Sequence, residues 1–260
     1  MKPILFFALL PALLPISLFA ETPEEKGLAI AVESDRRDND FGDSVADLTM
    51  ILKNPQGNES VRHIRRKILE VPGDGDKSID IFDEPQDVKG TALLTFSHGL
   101  EPDDQWIYLP ALKRVKRISS VNKSGPFMGS EFAYEDLVSP EVEKYTYKYL
   151  GEEVFDGHDC FIVESTPAYQ HSGYSRLVEW MDKSIYQPRK TVYYDRKNAL
   201  LKTLLFKDYR PYLGQYWRAH EMTMDNHQTG KTTQILWKNY RFRAGLTEQE
   251  FSQGALSRVY

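Results

Sequence analysis

The chain has 260 residues, and its 33 lysines and arginines face 38 aspartates and glutamates, which gives a formal net charge of −5. This slight acidic excess argues against a general nucleic-acid binder, because such proteins carry a basic surplus. The single cysteine, Cys160, excludes an internal disulfide, so stability must come from a hydrophobic core rather than from covalent cross-links.

The N-terminal residues have the pattern of a secretory signal peptide. A positively charged start precedes the apolar run ILFFALLPALLPISLFA, which ends at Ala20, a residue typical of a cleavage site. Pro11 and Pro15 interrupt the run, and it is too short for a comfortable membrane span. The sequence therefore predicts a signal peptide over residues 1–20, export to the periplasm, and a single mature domain over residues 21–260.

A helix is predicted directly after the signal peptide. Thr22 can cap it, Pro23 suits its first position, and Glu25 completes a capping box. The helix should continue through KGLAIAVESDRR and end near Asn39. We expect it to pack on an apolar surface through the stripe formed by Leu28, Ala31 and Val32.

From Ala46 onward the chain consists of short segments separated by turns, which is typical of antiparallel strands. We count about ten or eleven strand candidates at the spacing of a meander. One face of ADLTMILKN is aliphatic, formed by Leu48, Met50 and Leu52. One face of YTYKYL is aromatic, formed by Tyr145, Tyr147 and Tyr149. The pattern predicts a mainly β protein.

Several of these strands have an apolar face and a second face that is mixed rather than polar. This indicates a strongly curved sheet whose concave side is also apolar and must be covered by helices or by a ligand. The helix at residues 22–38 and a short one within LTEQEFSQGA are candidate covers. The alternative is that these residues simply fill a closed core.

Motifs of catalysis and metal binding are weak. The segment from Ser120 to Lys123 matches S-x-x-K, and Lys123 to Gly125 matches K-[ST]-G, the strings of penicillin-recognising hydrolases. Both strings use Lys123, so they cannot form two separate elements that meet at one substrate. The six histidines are scattered and lack metal-ligand spacing. We therefore expect no catalytic residue, no metal and no cofactor.

The segment WIYLPALKRVKRISS combines aromatic residues with a block of cations. Trp106 and Tyr108 share one strand face, and the cations Lys113, Arg114, Lys116 and Arg117 place a positive charge on each face of the next strand. One interpretation is a solvated edge strand. The other is that Arg114 or Arg117 meets a carboxylate, helix carbonyls or an anionic head group.

Three blocks carry a family resemblance: DVKGTALLTF, DDQWIYLPALKRVKRISS and KSGPFMGSEFAYEDL. They resemble the signature blocks of the outer membrane lipoprotein-sorting proteins, a branch of the LolA/LolB-like superfamily. The helix ending in SDRRDNDFGD and the later WMDKSIYQPRKTVYYD are similar to the same family. The resemblance implies a curved antiparallel half-barrel around an apolar cavity, with helices covering the concave side. It also implies that the protein holds something lipidic in the periplasm.

The sequence thus predicts a periplasmic carrier or chaperone for lipid or lipoprotein acyl chains, acting in outer-membrane lipoprotein sorting. An alternative is an accessory docking subunit whose partner is an inner-membrane export complex. A periplasmic hydrolase is a further alternative, but no nucleophile–base pair supports it. The candidate ligand-binding residues are Leu48, Met50, Leu52, Leu93, Trp106, Tyr108, Arg114, Arg117, Tyr145, Tyr147, Trp180 and Met222.

Overall fold

The computed structural model describes residues 20–258, so the predicted signal peptide, apart from Ala20, lies outside the described residues. Helix α1 spans Pro23–Asp38 and begins as predicted, with a capping box. The Glu25 amide donates to Thr22 Oγ1 at 3.1 Å, and the Thr22 amide donates to Glu25 Oε2 at 2.8 Å.

The apolar stripe predicted for α1 is wrong in part. Leu28 and Val32 are 46% and 47% exposed, whereas the buried residues of the helix are Gly27 and Ile30. A Cβ atom at Gly27 would lie 2.8 Å from the backbone nitrogens of Lys148 and Tyr149. The glycine therefore lets the helix backbone approach the sheet closely, and this approach fixes which face of α1 is buried.

Thirteen strands form one antiparallel sheet with the order β6-β5-β4-β3-β2-β1-β13-β12-β11-β10-β9-β8-β7. The mainly β prediction is confirmed, with more strands than the sequence count. The strands are β1 Asp43–Lys53, β2 Glu59–Leu69, β3 Lys77–Glu84, β4 Ala92–Phe96, β5 Asp104–Leu109, β6 Arg114–Arg117, β7 Tyr145–Phe155, β8 His158–Pro167, β9 Tyr174–Asp182, β10 Pro188–Asp195, β11 Leu200–Tyr212, β12 Tyr216–Asn226 and β13 Thr232–Phe242. The sheet is open, with edges at β6 and β7, and curves into a half-barrel.

The strand order forces one long connection across the sheet. Strands β6 and β7 are consecutive in sequence but lie at opposite edges, so residues 118–144 must cross from one edge to the other. We call these residues the covering segment. It contains short 3₁₀ turns rather than a long helix: Ser120–Asn122, Phe127–Gly129, Tyr134–Leu137 and Val142–Lys144.

The covering segment and α1 lie on the same face of the sheet, which we call the inner face. Phe127, Phe132 and Leu137 of the covering segment pack into the main core. Their partners are inner-face residues from both halves of the sheet, β1–β6 and β7–β13. Those inner-face residues are Leu48, Met50, Ile64, Phe82, Leu93, Ile107, Tyr174, Leu177, Tyr193, Leu204, Met224 and Ile235. The half-barrel with a covered inner side is therefore the fold that the sequence predicted.

The opposite, outer face has its own smaller core. Ile79, Ile81 and Leu94 are directed outward and are buried by Phe251 and Leu256, next to and within helix α2, Gln253–Leu256. The second cover proposed from the sequence, within LTEQEFSQGA, therefore packs on the outer face and not over the concave side. The cause is the apolar outer side of β3–β5, which would otherwise be exposed to water.

Candidate functional site

A cavity of about 760 Å³ lies between α1, the covering segment and the inner face of β7–β12. The strands contribute mainly aromatic and aliphatic side chains to its wall, because every second residue of a strand points to the same side. The apolar lining includes Phe132, Val142, Tyr145, Tyr147, Tyr169, Tyr174, Leu177, Met181, Tyr193, Leu204, Phe206 and Met222. Such a volume lies within the range of about 300–1,000 Å³ typical of small-molecule sites.

Helix α1 closes one side of this cavity with a polar surface. Ala31, Ser34 and Asp35 line the space. The Ser34 hydroxyl donates to the Tyr186 carbonyl oxygen at 2.7 Å, and the Arg37 guanidinium donates to the Ser184 carbonyl at 3.2 Å. These contacts fix the helix at its C-terminal half, while its cavity-facing side carries no large apolar group that could fill the space.

The covering segment is held by buried ion pairs at its two ends. Lys123 Nζ donates to Asp103 Oδ2 at 2.9 Å, and Lys144 donates to the other oxygen of the same carboxylate. All three side chains are less than a tenth exposed. Burial acts to raise the pKa of Asp103, but the ion pairs with Lys144 and Lys123 hold it below its ordinary value. Asp103 therefore ties both ends of the segment to the start of β5.

A second set of polar contacts fixes the middle of the covering segment. Lys202 Nζ donates to Asp136 Oδ2 at 2.6 Å from the inner face of β11. The Glu135 carboxylate accepts hydrogen bonds from the Tyr169 hydroxyl, the Ser172 hydroxyl and the Gly173 amide at 3.0, 2.9 and 2.8 Å. None of these groups was predicted from the sequence, since no local spacing links residues so far apart in the chain.

Carboxylates line the cavity far more often than cations do. Lys144 is the only lysine or arginine of the lining within residues 20–258. The lining carboxylates are Asp35, Asp38, Asp40, Glu70, Asp74, Asp76, Asp103, Glu135, Asp136, Glu141, Glu143 and Glu179. This acidic character was not foreseen from the sequence, because the contributing residues come from five separate stretches of the chain.

Several of these carboxyl groups have raised pKa values. Burial raises the pKa of Asp76 to about 6, and burial together with nearby Asp76, Asp35 and Glu143 raises the pKa of Glu141 to about 7, against the opposing charge of Lys144. Burial also raises the pKa of Glu179, although hydrogen bonds from Ser165 and Thr191 oppose the change. The cavity thus concentrates negative charge in a partly desolvated space.

The structure separates the predicted ligand-binding residues into groups. Tyr145, Tyr147 and Met222 line the large cavity. Leu48 and Met50 join Met222 around a smaller cavity of about 60 Å³. Leu52 and Leu93 belong to or pack against the main core.

The remaining predicted residues do not line the large cavity. Trp106 and Tyr108 pack in the outer-face core, and Arg114 and Arg117 are exposed on edge strand β6, where Arg117 pairs with Asp104. The side chain of Trp180 donates to Glu153 at 3.2 Å and lies under the ammonium of Lys190.

The structure also shows the role of the lysine that the two hydrolase strings share. Lys123, which both strings share, is buried in its ion pair with Asp103. Within residues 20–258, no group of three or more histidine, cysteine, aspartate or glutamate side chains is arranged to hold a metal ion.

The chain was compared with protein-family models, curated proteins and solved structures. A family model described only as "Uncharacterized protein" matches residues 74–258. A search of curated proteins finds no match. Among the helices of residues 20–258, none combines the length and the apolar character needed to cross a membrane.

Solved structures give closer matches. A domain from Vibrio parahaemolyticus described as an outer membrane lipoprotein-sorting protein is 57% identical, with a TM-score of 0.89 over 90% of this chain and 100% of that chain. A DUF1329 family protein from Desulfovibrio piger is 34% identical, with a TM-score of 0.87 over 90% and 99% of the two chains. A LolA superfamily protein from Nitrosomonas europaea shares the fold at 20% identity, with a TM-score of 0.70 over 88% and 98%.

Proposed function

The chain belongs to the outer membrane lipoprotein-sorting protein family, and we propose that it is a periplasmic carrier that holds the acyl chain of a lipid or lipoprotein in the inner-face cavity. The observation that carries this proposal is the cavity itself, about 760 Å³ in volume, whose strand side is lined mainly by aromatic and aliphatic side chains. Burial of one methylene group contributes about 0.8 kcal/mol, so an acyl chain inserted over part of its length gains substantial affinity.

Transfer of this kind requires a cover that opens. Helix α1 is the candidate, because its cavity side is polar and fills none of the space, and its C-terminal half is held by polar contacts such as Ser34 to Tyr186 and Arg218 to Asp38. The covering segment is the fixed side, since Asp103 and Asp136 anchor it through buried ion pairs. Movement of α1 would set uptake and release. This mechanism needs no covalent step, so we propose a carrier and not a hydrolase.

The first test is chemical analysis of the purified protein. We expect organic extracts of the mature chain, analysed by mass spectrometry, to contain a co-purified amphiphile with an acyl chain. A variant with a filled cavity, Leu177→Trp, should lose this molecule. Leu177 lines the cavity, whereas Val154 is 64% exposed on β7, so Val154→Trp adds the same side chain outside the site.

The same variants can be compared by binding of the uncharged apolar dye phenylnaphthylamine. The wild-type chain and Val154→Trp should bind the dye equally, and Leu177→Trp should bind it at least about tenfold more weakly, since the indole occupies the space. Circular dichroism would establish that all three chains are folded. Empty extracts together with equal dye binding by all three chains would rule out the cavity as a lipid site.

A second function is favoured by edge strand β6. Arg114, Lys116 and Arg117 of this strand are exposed, and so are the two residues before it, Lys113 and Leu112, the latter 60% exposed. A short, strongly basic sheet edge suits docking to an acidic protein surface, such as that of an inner-membrane export complex. Arg114→Glu with Arg117→Glu should abolish co-purification of such a complex and leave dye binding unchanged, because neither arginine lines the cavity. Unaltered co-purification would exclude β6 as the docking site.

A further inference from the structure

The cations near the inner-face cavity are already committed to carboxylates. Lys123 and Lys144 share Asp103, and Lys202 pairs with Asp136 at 2.6 Å. Arg218 pairs with Asp38 at the end of α1. Each of these pairs is internal to the protein, so none of the four cations is available to neutralise an anionic group of a ligand.

Other carboxylates of the lining have no such partner. Asp35 on α1 accepts from the Asn39 amide at 2.9 Å, and Asp76 after β2 accepts from the Ser139 hydroxyl at 3.1 Å, both neutral donors. Glu141 and Glu143 of the covering segment form no ion pair within residues 20–258. Three elements that are separate in sequence therefore direct uncompensated negative charge at the same space.

Glu179 provides an independent observation inside the cavity. It lies on the inner face of β9, where its carboxylate accepts hydrogen bonds from Ser165 at 3.1 Å and Thr191 at 3.4 Å. Both donors are neutral hydroxyls, and no cation pairs with this carboxylate in the part of the chain that the structure describes. A carboxylate has room for further donors, and a desolvated one without a cation stays ionised only at a cost, which the raised pKa of Glu179 reflects.

We propose that the cavity accepts an amphiphile with a cationic, amine-bearing head group and discriminates against an anionic one. This inference rests on the proposed carrier function and names the class of its ligand. An ammonium group near Glu179 or Glu141 would gain charge-assisted hydrogen bonds in a space of reduced dielectric. A carboxylate or phosphate head group would meet several like charges and no available cation.

The apolar wall and the acidic groups then have complementary roles. Tyr147, Leu177 and Met181 bury the hydrocarbon chain, while the carboxylates select the head group. Exposed Arg114 and Arg117, which the sequence suggested as partners of an anionic head group, lie outside this lining. The charge of the cavity, and not the basic strand, therefore sets the ligand class.

Three amphiphiles with one common chain provide the test: laurylamine, lauryl alcohol and laurate. Each would displace phenylnaphthylamine from the full mature chain at about pH 8, where the amine is protonated and laurate is ionised. We expect laurylamine to bind at least about tenfold more tightly than lauryl alcohol, and laurate to bind more weakly than the alcohol.

Two variants identify the groups responsible. Glu179→Gln, and separately Glu141→Gln with Glu143→Gln, should each reduce the preference for the amine severalfold and leave the alcohol unaffected. Glu101→Gln with Asp159→Asn removes two exposed carboxylates that are not part of the lining and serves as the control for general attraction of a cation. The control should retain the full preference.

The possible results separate the two proposals. The head-group assignment would be overturned if laurate bound as tightly as laurylamine, or if both cavity variants kept the full preference for the amine. Binding of lauryl alcohol would in that case still support a carrier. Failure of all three amphiphiles to displace the dye would overturn the carrier proposal as well.

Discussion

The inner face of the sheet has two halves that are covered differently. Over β1–β5, Phe127, Phe132 and Leu137 of the covering segment pack directly on residues such as Phe82 and Leu93. Over β7–β12, the covering segment shares the cover with the polar side of α1, and a cavity of about 760 Å³ remains between them and the sheet. The strands of both halves alternate in the same way, so the cover and not the sheet determines where the space lies.

The largest expected effect is in the packed half. Phe127 is 1% exposed, and Phe127→Ala should lower the free energy of unfolding by about 3–5 kcal/mol through lost burial and a new void. Leu177→Ala only enlarges a space that already exists. It should therefore lower the free energy of unfolding by about 2 kcal/mol, the lower limit for a leucine-to-alanine change in a protein core. Chemical denaturation followed by circular dichroism measures both values. Equal losses would contradict the distinction between a packed and a hollow half.

Asp103 holds both ends of the covering segment, which spans the two halves, through its ion pairs with Lys123 and Lys144. Replacement by asparagine would leave Lys123 and Lys144 buried without a carboxylate, and we expect a loss of about 3 kcal/mol. The exposed pair of Asp83 with Arg65 is a matched control, since Asp83→Asn should lose less than about 1 kcal/mol. Similar losses in the two variants would mean that the buried pairs do not hold the covering segment.

A further effect is a pH dependence that arises in the hollow half. In the folded chain the pKa of Glu141 is about 7 and that of Asp76 is about 6, above the ordinary values near 4. A carboxyl group with a raised pKa contributes stability below its unfolded pKa, and this contribution is lost as pH rises through the folded value. The free energy of unfolding should therefore rise when pH is lowered from about 8 to about 5.

The groups that face Glu141 set the size of this effect: Asp35, Asp76 and Glu143 raise its pKa, and Lys144 lowers it. Glu141→Gln with Asp76→Asn should flatten the pH profile of stability between these limits. A double variant that keeps the full wild-type slope would assign the pH dependence to other groups.

Local sequence patterns were sufficient for much of the architecture. The capping box of Thr22 and Glu25 marked the start of α1, and the alternation of Leu48 and Met50 marked an inward strand face. Both signals are local, because capping acts within one helical turn and strand faces repeat every two residues. The family resemblance supplied the half-barrel, which the thirteen-stranded open sheet confirms.

The candidate site was less accessible to prediction. On β5 the pairs Trp106 with Tyr108 and Ile107 with Leu109 are both apolar, so the two-residue period cannot distinguish the inner from the outer face. The structure buries Trp106 and Tyr108 outward because Phe251 and Leu256 cover that side. Which face of β5 points inward is therefore decided by a contact between segments more than a hundred residues apart in the chain.

The sequence by itself determined the composition of the core, the strand periodicity, the capped first helix and the family. The tertiary structure alone decided that β6 and β7 lie at opposite edges, and therefore that residues 118–144 cross the inner face. It also decided that carboxylates such as Asp35, Glu141 and Glu179 share one cavity. The physical reason is that charge density depends on distances in space, whereas a net charge of −5 constrains only the total.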